Sequence, residues 1–216
     1  MAYPSITPLG PEKTIYREET GFDENLKIDI NFAEMELIAV LKVFHNNEDP
    51  GYTSDGLRDL NRARCEIRAY CSLKRFNICD GGFVPKFYGY MMAINPTSWA
   101  PHLNVFQCDI DLPSAILIEY LPNTLPMNSK TYSKERFEKV NIGIQQIHLA
   151  LIEHNDPYPK NVLIVPGDPE RVVWIDFDVA IVYPNENYIG ERERGWIESE
   201  TRCVESYGTM LVCSSK

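Results

Sequence analysis

The sequence predicts an α+β protein built as two lobes, and three observations lead there. Short apolar runs rich in β-branched residues dominate the first half. A long amphipathic pattern and a final acidic helical stretch dominate the second. Between them, residues 121–129 carry Pro122, Asn123 and Pro126, the punctuation of a linker. The division expected is a β-rich lobe with one helix over residues 1–120 and a shorter, α-rich lobe over residues 121–216.

Residues 1–12 are proline-rich and read as irregular. Residues 14–44 read as strand, alternating over 26–32 and almost continuously apolar over 35–44. The run from Asn46 to Gly56 is a loop by its Asn, Asp, Pro and Gly content. Residues 57–76 read as a helix with Leu60, Ala63, Ile67, Tyr70 and Phe76 near one face. Residues 83–92 and 115–120 read as further strands, separated by an irregular excursion containing Pro96, Pro101 and Pro113. Ser133 is a good N-cap for a long helix to Glu153, whose stripe of Phe137, Val140, Ile144, Ile147 and Leu151 is widened by Ile142, Leu149 and Ile152. Residues 191–211 read as a last, acidic helix weakened at Gly195.

Composition narrows the function classes. A chain of 216 residues, 44% apolar and 24% charged, can bury a real core. Its net charge of −10 argues against a nucleic-acid or anionic-membrane surface, which needs a basic face. The N-terminus lacks the pattern of a signal peptide, and no apolar run is long enough for a bilayer. Six cysteines without a C-x-x-C pair read as free thiols in a reducing compartment, so the expected location is intracellular and cytoplasmic.

Chemistry concentrates between His154 and Asp178. Residues 161–165 and 171–176 are two strand-like runs around Pro166-Gly-Asp-Pro-Glu170, which reads as a β-hairpin. A turn centred near Asp168 pairs 165 with 172, 163 with 174 and Asn161 with Asp176. His154-Asn-Asp156, ending the long helix, brings a second acid to the same edge. Taken singly, Asp156 can open a turn with Pro157, Asn161 can cap a strand, and Asp176 can be incidental. Together they supply hard oxygens suited to Mg²⁺, which takes few protein ligands.

A cation stands at Lys42, which interrupts an apolar strand expected to be buried on both faces. It can snorkel from the strand end, or pair inside. Glu66 offers the pair, because its helical neighbours Ala63, Ala69, Tyr70 and Leu73 form a mostly apolar stripe that a carboxylate interrupts.

These residues carry a resemblance. His154-Asn-Asp-Pro-Tyr-Pro-Lys-Asn161 resembles the H-R-D-x-x-x-x-N catalytic loop of protein kinases, and Ile175-Asp-Phe-Asp178 resembles D-F-G. Leu37-Ile-Ala-Val-Leu-Lys-Val-Phe44 resembles the V-A-I-K strand, and Glu66 the helix glutamate that pairs with its lysine. The chain thus resembles a divergent, fungal-type member of the protein-kinase-like superfamily, from about Glu36 to Asp178. The resemblance implies a two-lobed fold, ATP and Mg²⁺ as ligands, and a protein or small molecule as phosphate acceptor. It implies Asp156 as catalytic base, Asn161 and Asp176 as magnesium ligands, and Lys42 and Glu66 as the ion pair on the phosphates. His154 becomes a packing residue behind the loop, and Ile116–Leu121, with Glu119 and Leu121, the hinge whose backbone receives adenine.

The match departs from the family in four places. No G-x-G-x-x-G precedes Lys42, the loop reads His-Asn-Asp, and Asp178 stands where D-F-G has glycine. No A-P-E motif follows, so the resemblance implies a truncated C-terminal lobe. Choline and aminoglycoside phosphotransferases often share the His-Asn-Asp or His-Gly-Asp form. Two functions are expected from this: a phosphotransferase acting on a hydroxyl, or a catalytically impaired pseudokinase serving as a nucleotide-binding or scaffold domain.

Overall fold

The computed structural model describes residues 38–167 and 169–213. They form a mixed α/β protein of three helices and small antiparallel sheets. The strand pattern expected over 26–32, the region before Ile38 that lacks a glycine-rich loop, and Asp168 lie outside the described residues.

The first sheet joins β1 (Ala39–Phe44), β2 (Phe87–Met91) and β3 (Ser114–Glu119) in the order β1-β3-β2. β3 is its centre, and Ser114, Ala115, Ile116 and Leu117 are all buried there. β1 borders the sheet among the described residues, and this corrects the expectation of burial on both faces. Ile38 is 75% exposed and Val40 38%. Its alternation still sorts the side chains: Leu41 and Val43 pack with Ile94, Leu103 and Ala115, and Phe44 packs on the main core. The excursion between β2 and β3 contains two 3₁₀ turns, Pro96–Trp99 and Asn104–Phe106.

Helix α1 (Arg62–Arg75) starts later than its periodicity predicts. The Asp55 carboxylate accepts from Leu57 N (3.1 Å) and that of Asp59 from Asn61 N (2.9 Å), so side chains satisfy the backbone that a helix would otherwise use. Asn61 then caps the helix through Arg64 N. Leu60 and Phe76, outside the helix, are more than a third exposed, whereas Ala63, Ile67 and Tyr70 are buried.

Residues 121–129 are more than a linker. They contain β4 (Leu125–Pro126), which pairs with β6 (Val162–Val165), and Met127 is buried with its N–H on Val162 O at 3.1 Å. β4 is a sheet edge, where proline's missing donor is tolerated. Helix α2 (Lys134–Leu149) begins at the expected cap, with Arg136 N donating to Ser133 Oγ at 3.2 Å. Val140, Ile144 and Ile147 are fully buried, but Ile142 (46%) and Leu149 (62%) are exposed. Each stands two residues from a buried position, about 200° around the helix, and so cannot widen the same stripe.

The helix also ends earlier than expected, at Leu149. Ala150 caps it, Leu151 adopts a left-handed φ of 61°, and β5 (Ile152–Glu153) leads into His154. β6 and β7 (Arg171–Trp174) form the expected hairpin, and β5 pairs with β8 (Ile181–Val182). Helix α3 (Glu191–Cys213) runs through Gly195 and packs Val204 and Tyr207 into the main core. That core gathers Tyr70 from α1, Ile116 from β3, Ile144 from α2 and Trp174 from β7, so it draws on both sides of residue 120. Among the described residues, no helix is long and apolar enough to cross a membrane. Cys65, Cys71, Cys79, Cys108 and Cys203 are free thiols.

Gly143 shows how closely α2 lies on the hairpin. A Cβ there would come within 2.7 Å of Trp174 Cδ1, and the indole is held by its Nε1–H donating to Val140 O at 3.1 Å. Gly143→Ala is therefore expected to destabilise by about 1–3 kcal/mol despite alanine's better helix propensity. Gly195→Ala, with open space around its Cβ, should stabilise by up to about 1 kcal/mol. Urea denaturation of the two variants checks both signs.

Candidate functional site

The site begins where β5 gives out. Asn155 takes a left-handed φ of 62°, which asparagine tolerates, and its side-chain N–H donates to Val179 O at 3.1 Å. Asp156 follows. Its carbonyl and its Oδ2 each accept from Asn161 Nδ2 at 2.9 Å, and Lys160 Nζ lies 2.8 Å from Oδ2. Burial opposes ionisation of Asp156, but Lys160 and Asn161 outweigh it and hold its carboxyl below the usual carboxylate range. Both bonds from Asn161 use its nitrogen, so its Oδ1 remains for another partner.

The hairpin register differs by one from the expected pairing. Val162 faces Trp174 and Val165 faces Arg171, so Asn161 meets Ile175 rather than Asp176, with Ile175 N donating to Asn161 O at 3.0 Å. The connection over 166–170 has an odd number of residues, so its centre falls on a residue and every pair shifts by one. Asp176 then stands just beyond the ladder with a left-handed φ of 68°.

That position lets Asp176 reach the first sheet. Its Oδ1 accepts from Lys42 Nζ at 2.8 Å, and Lys42 Nζ also donates to Glu66 Oε2 at 2.5 Å. The Lys42–Glu66 pair expected from the two interrupted apolar patterns is thus formed, and Asp176 makes it a triad. Glu66 is 1% exposed, and burial pushes its carboxyl up to about 7 against the pull of Lys42. For Lys42, burial favours the neutral amine, but Glu66 and Asp176 outweigh it and raise its pKa.

Phe177 locks the segment from behind. It is fully buried, 5.5 Å from the Tyr70 ring and 4.8 Å from that of His154. His154 is the packing residue expected: burial lowers its pKa, and its Nε2 donates to Ile175 O at 3.1 Å. That bond fixes the neutral tautomer. Asp178 is bonded by Arg62 at the start of α1. Asn155, Asp156, Lys160, Asp176, Asp178 and Arg58 line a cleft of about 320 Å³.

One feature escaped the sequence reading, and one expected residue has partners that the reading did not foresee. Glu200, on α3, is 6% exposed and accepts from His154 N (3.0 Å), Asn155 N (2.6 Å) and His148 Nε2 (2.7 Å), so a distant helix holds the loop backbone. The signal was available, because Glu200 shares a helical face with Val204 and Tyr207 and interrupts it as Glu66 interrupts α1. The other is Glu119. Its carboxylate is engaged by Arg171 at 2.6 Å and Lys86 N at 3.1 Å, and its N–H by Lys86 O at 2.9 Å. The Glu119 side chain and N–H are thus committed to Arg171 and Lys86, and Leu121 follows half-buried.

Among the described residues, no group of three or more His, Cys, Asp or Glu side chains is arranged to hold a metal. Asn161 Oδ1 and the Asp176 carboxylate are hard oxygen donors, and the observed register no longer sets them directly opposite each other. Compared with protein-family models and with curated proteins, the chain finds no match in either.

The triad makes a pH-dependent prediction. The folded pKa of Glu66, about 7, exceeds its ordinary 4.5. The folded state therefore binds more protons between those values, and stability falls as pH rises through the window. Lys42→Met removes the counter-ion, so its cost should be small near pH 5 and grow to about 3 kcal/mol by pH 8. Adding Glu66→Gln should flatten that dependence. Chemical denaturation from pH 5 to 8 measures both slopes.

Proposed function

We propose that the chain is an ATP-dependent phosphotransferase with a protein-kinase-like, two-lobed arrangement, transferring the γ-phosphoryl group to a hydroxyl of a protein or small molecule. The observation that carries this reading is the Glu66–Lys42–Asp176 triad meeting the Asp156–Asn161 pair beside one cleft. Residues far apart in sequence supply a buried carboxylate, a cation, an orienting amide and two acids, the set that phosphoryl transfer requires.

In this reading Lys42, held by Glu66, binds the phosphate oxygens, and Asp156 orients the acceptor hydroxyl. The hydroxyl oxygen forms a bond to the γ phosphorus while the bond to the β–γ bridging oxygen breaks. The hydroxyl proton passes to Asp156, and ADP leaves. Asp156 is ionised at neutral pH, as a base must be, and Asn161 keeps its carboxylate oriented. Mg²⁺, held by Asn161 Oδ1 and Asp176, would supply charge neutralisation on the phosphates.

A second reading is a pseudokinase that binds nucleotide or serves as a scaffold without turnover. What favours it is that both working acids already have cations, Asp176 on Lys42 and Asp156 on Lys160.

Thermal unfolding with ATP and Mg²⁺ tests nucleotide binding. Wild type should be stabilised by about 2.7 kcal/mol at a hundred times Kd, and Asp176→Ala should lose the effect. Asp156→Ala should keep binding while phosphate transfer or ATP hydrolysis drops about 100-fold or more. Binding without turnover in wild type supports the pseudokinase, and no shift at millimolar ATP overturns the enzyme.

A further inference from the structure

The cleft beside Asp156 holds a cation that the triad does not use. Its acids are matched one to one: Asp176 with Lys42, Asp156 with Lys160, Asp178 with Arg62. Arg58 lines the same cleft, and among the described residues its guanidinium has no hydrogen-bond or ion-pair partner. The nearest acid in sequence is consumed elsewhere. Asp59 accepts from Arg64 Nε (2.7 Å), Arg64 Nη2 (2.8 Å) and Arg68 Nη1 (2.8 Å). In a chain of net charge −10, an unmatched arginine facing a cleft is not part of a general basic surface.

Arg58 also stands on a fixed base. Its N–H donates to Thr53 Oγ1 at 3.1 Å, and its carbonyl accepts from Thr53 N at 2.9 Å. Thr53 Oγ1 is held in turn by Asp55 at 2.7 Å, and the flanking Leu57 and Asp59 are buried. Less freedom is then lost when the guanidinium takes a partner, and its planar fork matches an oxyanion. Two further cations are within the cleft. Arg62 (68% exposed) and Lys160 (66% exposed) reach in from the surface to acids that are themselves mostly buried, so each cation keeps a solvent-facing side for a doubly charged group.

We infer that Arg58, flanked by Arg62 and Lys160, is a phosphate-binding subsite for the acceptor, so that the substrate class is a hydroxyl compound already carrying a phosphate. This rests on the phosphotransferase reading for the word acceptor. The side of the site decides between acceptor and nucleotide. The cleft is lined by Asp156 and Asn155 together with Asp176, whereas Lys42 and Glu66 do not line it, so the base opens into the cleft and the phosphate-binding ammonium does not. Arg58 thus serves the group presented to the base, not the phosphates presented to Lys42.

The test is calorimetric titration of inorganic phosphate, glycerol 3-phosphate and glycerol into the full chain with Mg²⁺ and a non-hydrolysable ATP analogue bound. Both phosphates should bind alongside the nucleotide, and neutral glycerol at least 30-fold more weakly. Arg58→Gln should weaken the phosphates at least tenfold while leaving nucleotide affinity within twofold. Arg58→Lys, keeping charge without the fork, should fall between. Circular dichroism and thermal midpoints establish that the variants fold. If phosphate fails to bind while the nucleotide does, or Arg58→Gln weakens the nucleotide and not the phosphates, the inference is overturned and the phosphotransferase reading stands. If the nucleotide fails to bind while phosphate binding still depends on Arg58, the subsite survives and the phosphotransferase reading falls.

Discussion

A carboxylate almost out of contact with water has to be compensated, and Glu66 organises much of the described structure for that reason. It is placed by α1 among Ile67, Tyr70 and Leu73, where an ionised acid is costly. Lys42 supplies the counter-charge from the edge of the first sheet, and Asp176 shares that ammonium from beyond the hairpin. One ammonium group therefore sets where three separate pieces of chain meet: β1, α1 and the end of β7. The core beneath them, with Tyr70 against Phe87 at 5.2 Å and Phe177 edge-on to Tyr70, makes that meeting point rigid.

Glu200 repeats the device on the other side. A buried acid on α3 collects two loop N–H groups and a histidine, which satisfies backbone donors that would otherwise be stranded. The loop bearing Asp156 is thereby fastened from behind by α3 and in front by Asn161. Both acids act through what they satisfy: each converts a polar group among apolar neighbours into a positional constraint.

Much of this was legible in the sequence where the pattern and its physical cause were local. Ser133 as a cap, the apolar run of β3, the hairpin around residues 166–170 and the carboxylate interrupting the α1 stripe each reflect chemistry within a few residues. What failed depended on count or on distant partners. The register differed by one because a five-residue connection over 166–170 is symmetric about position 168, which pairs 165 with 171 rather than 172. α2 was read through to Glu153 because Ile152 continues the apolar pattern, although it does so as strand. The strand in residues 121–129 could not be seen, since a two-residue pairing to β6 leaves no periodicity.

The anchoring of residues 176–178 has a consequence for control. In many molecular switches a short segment swings between two seats, and regulation acts on the balance between them. Here Phe177 is fully buried, Asp176 is tied to Lys42 and Asp178 to Arg62, so all three successive side chains are committed to one seat. A segment so held has its apolar anchor, Phe177, in the core, so any rearrangement of Asp176 or Asp178 has to be of side chains about a fixed backbone seat.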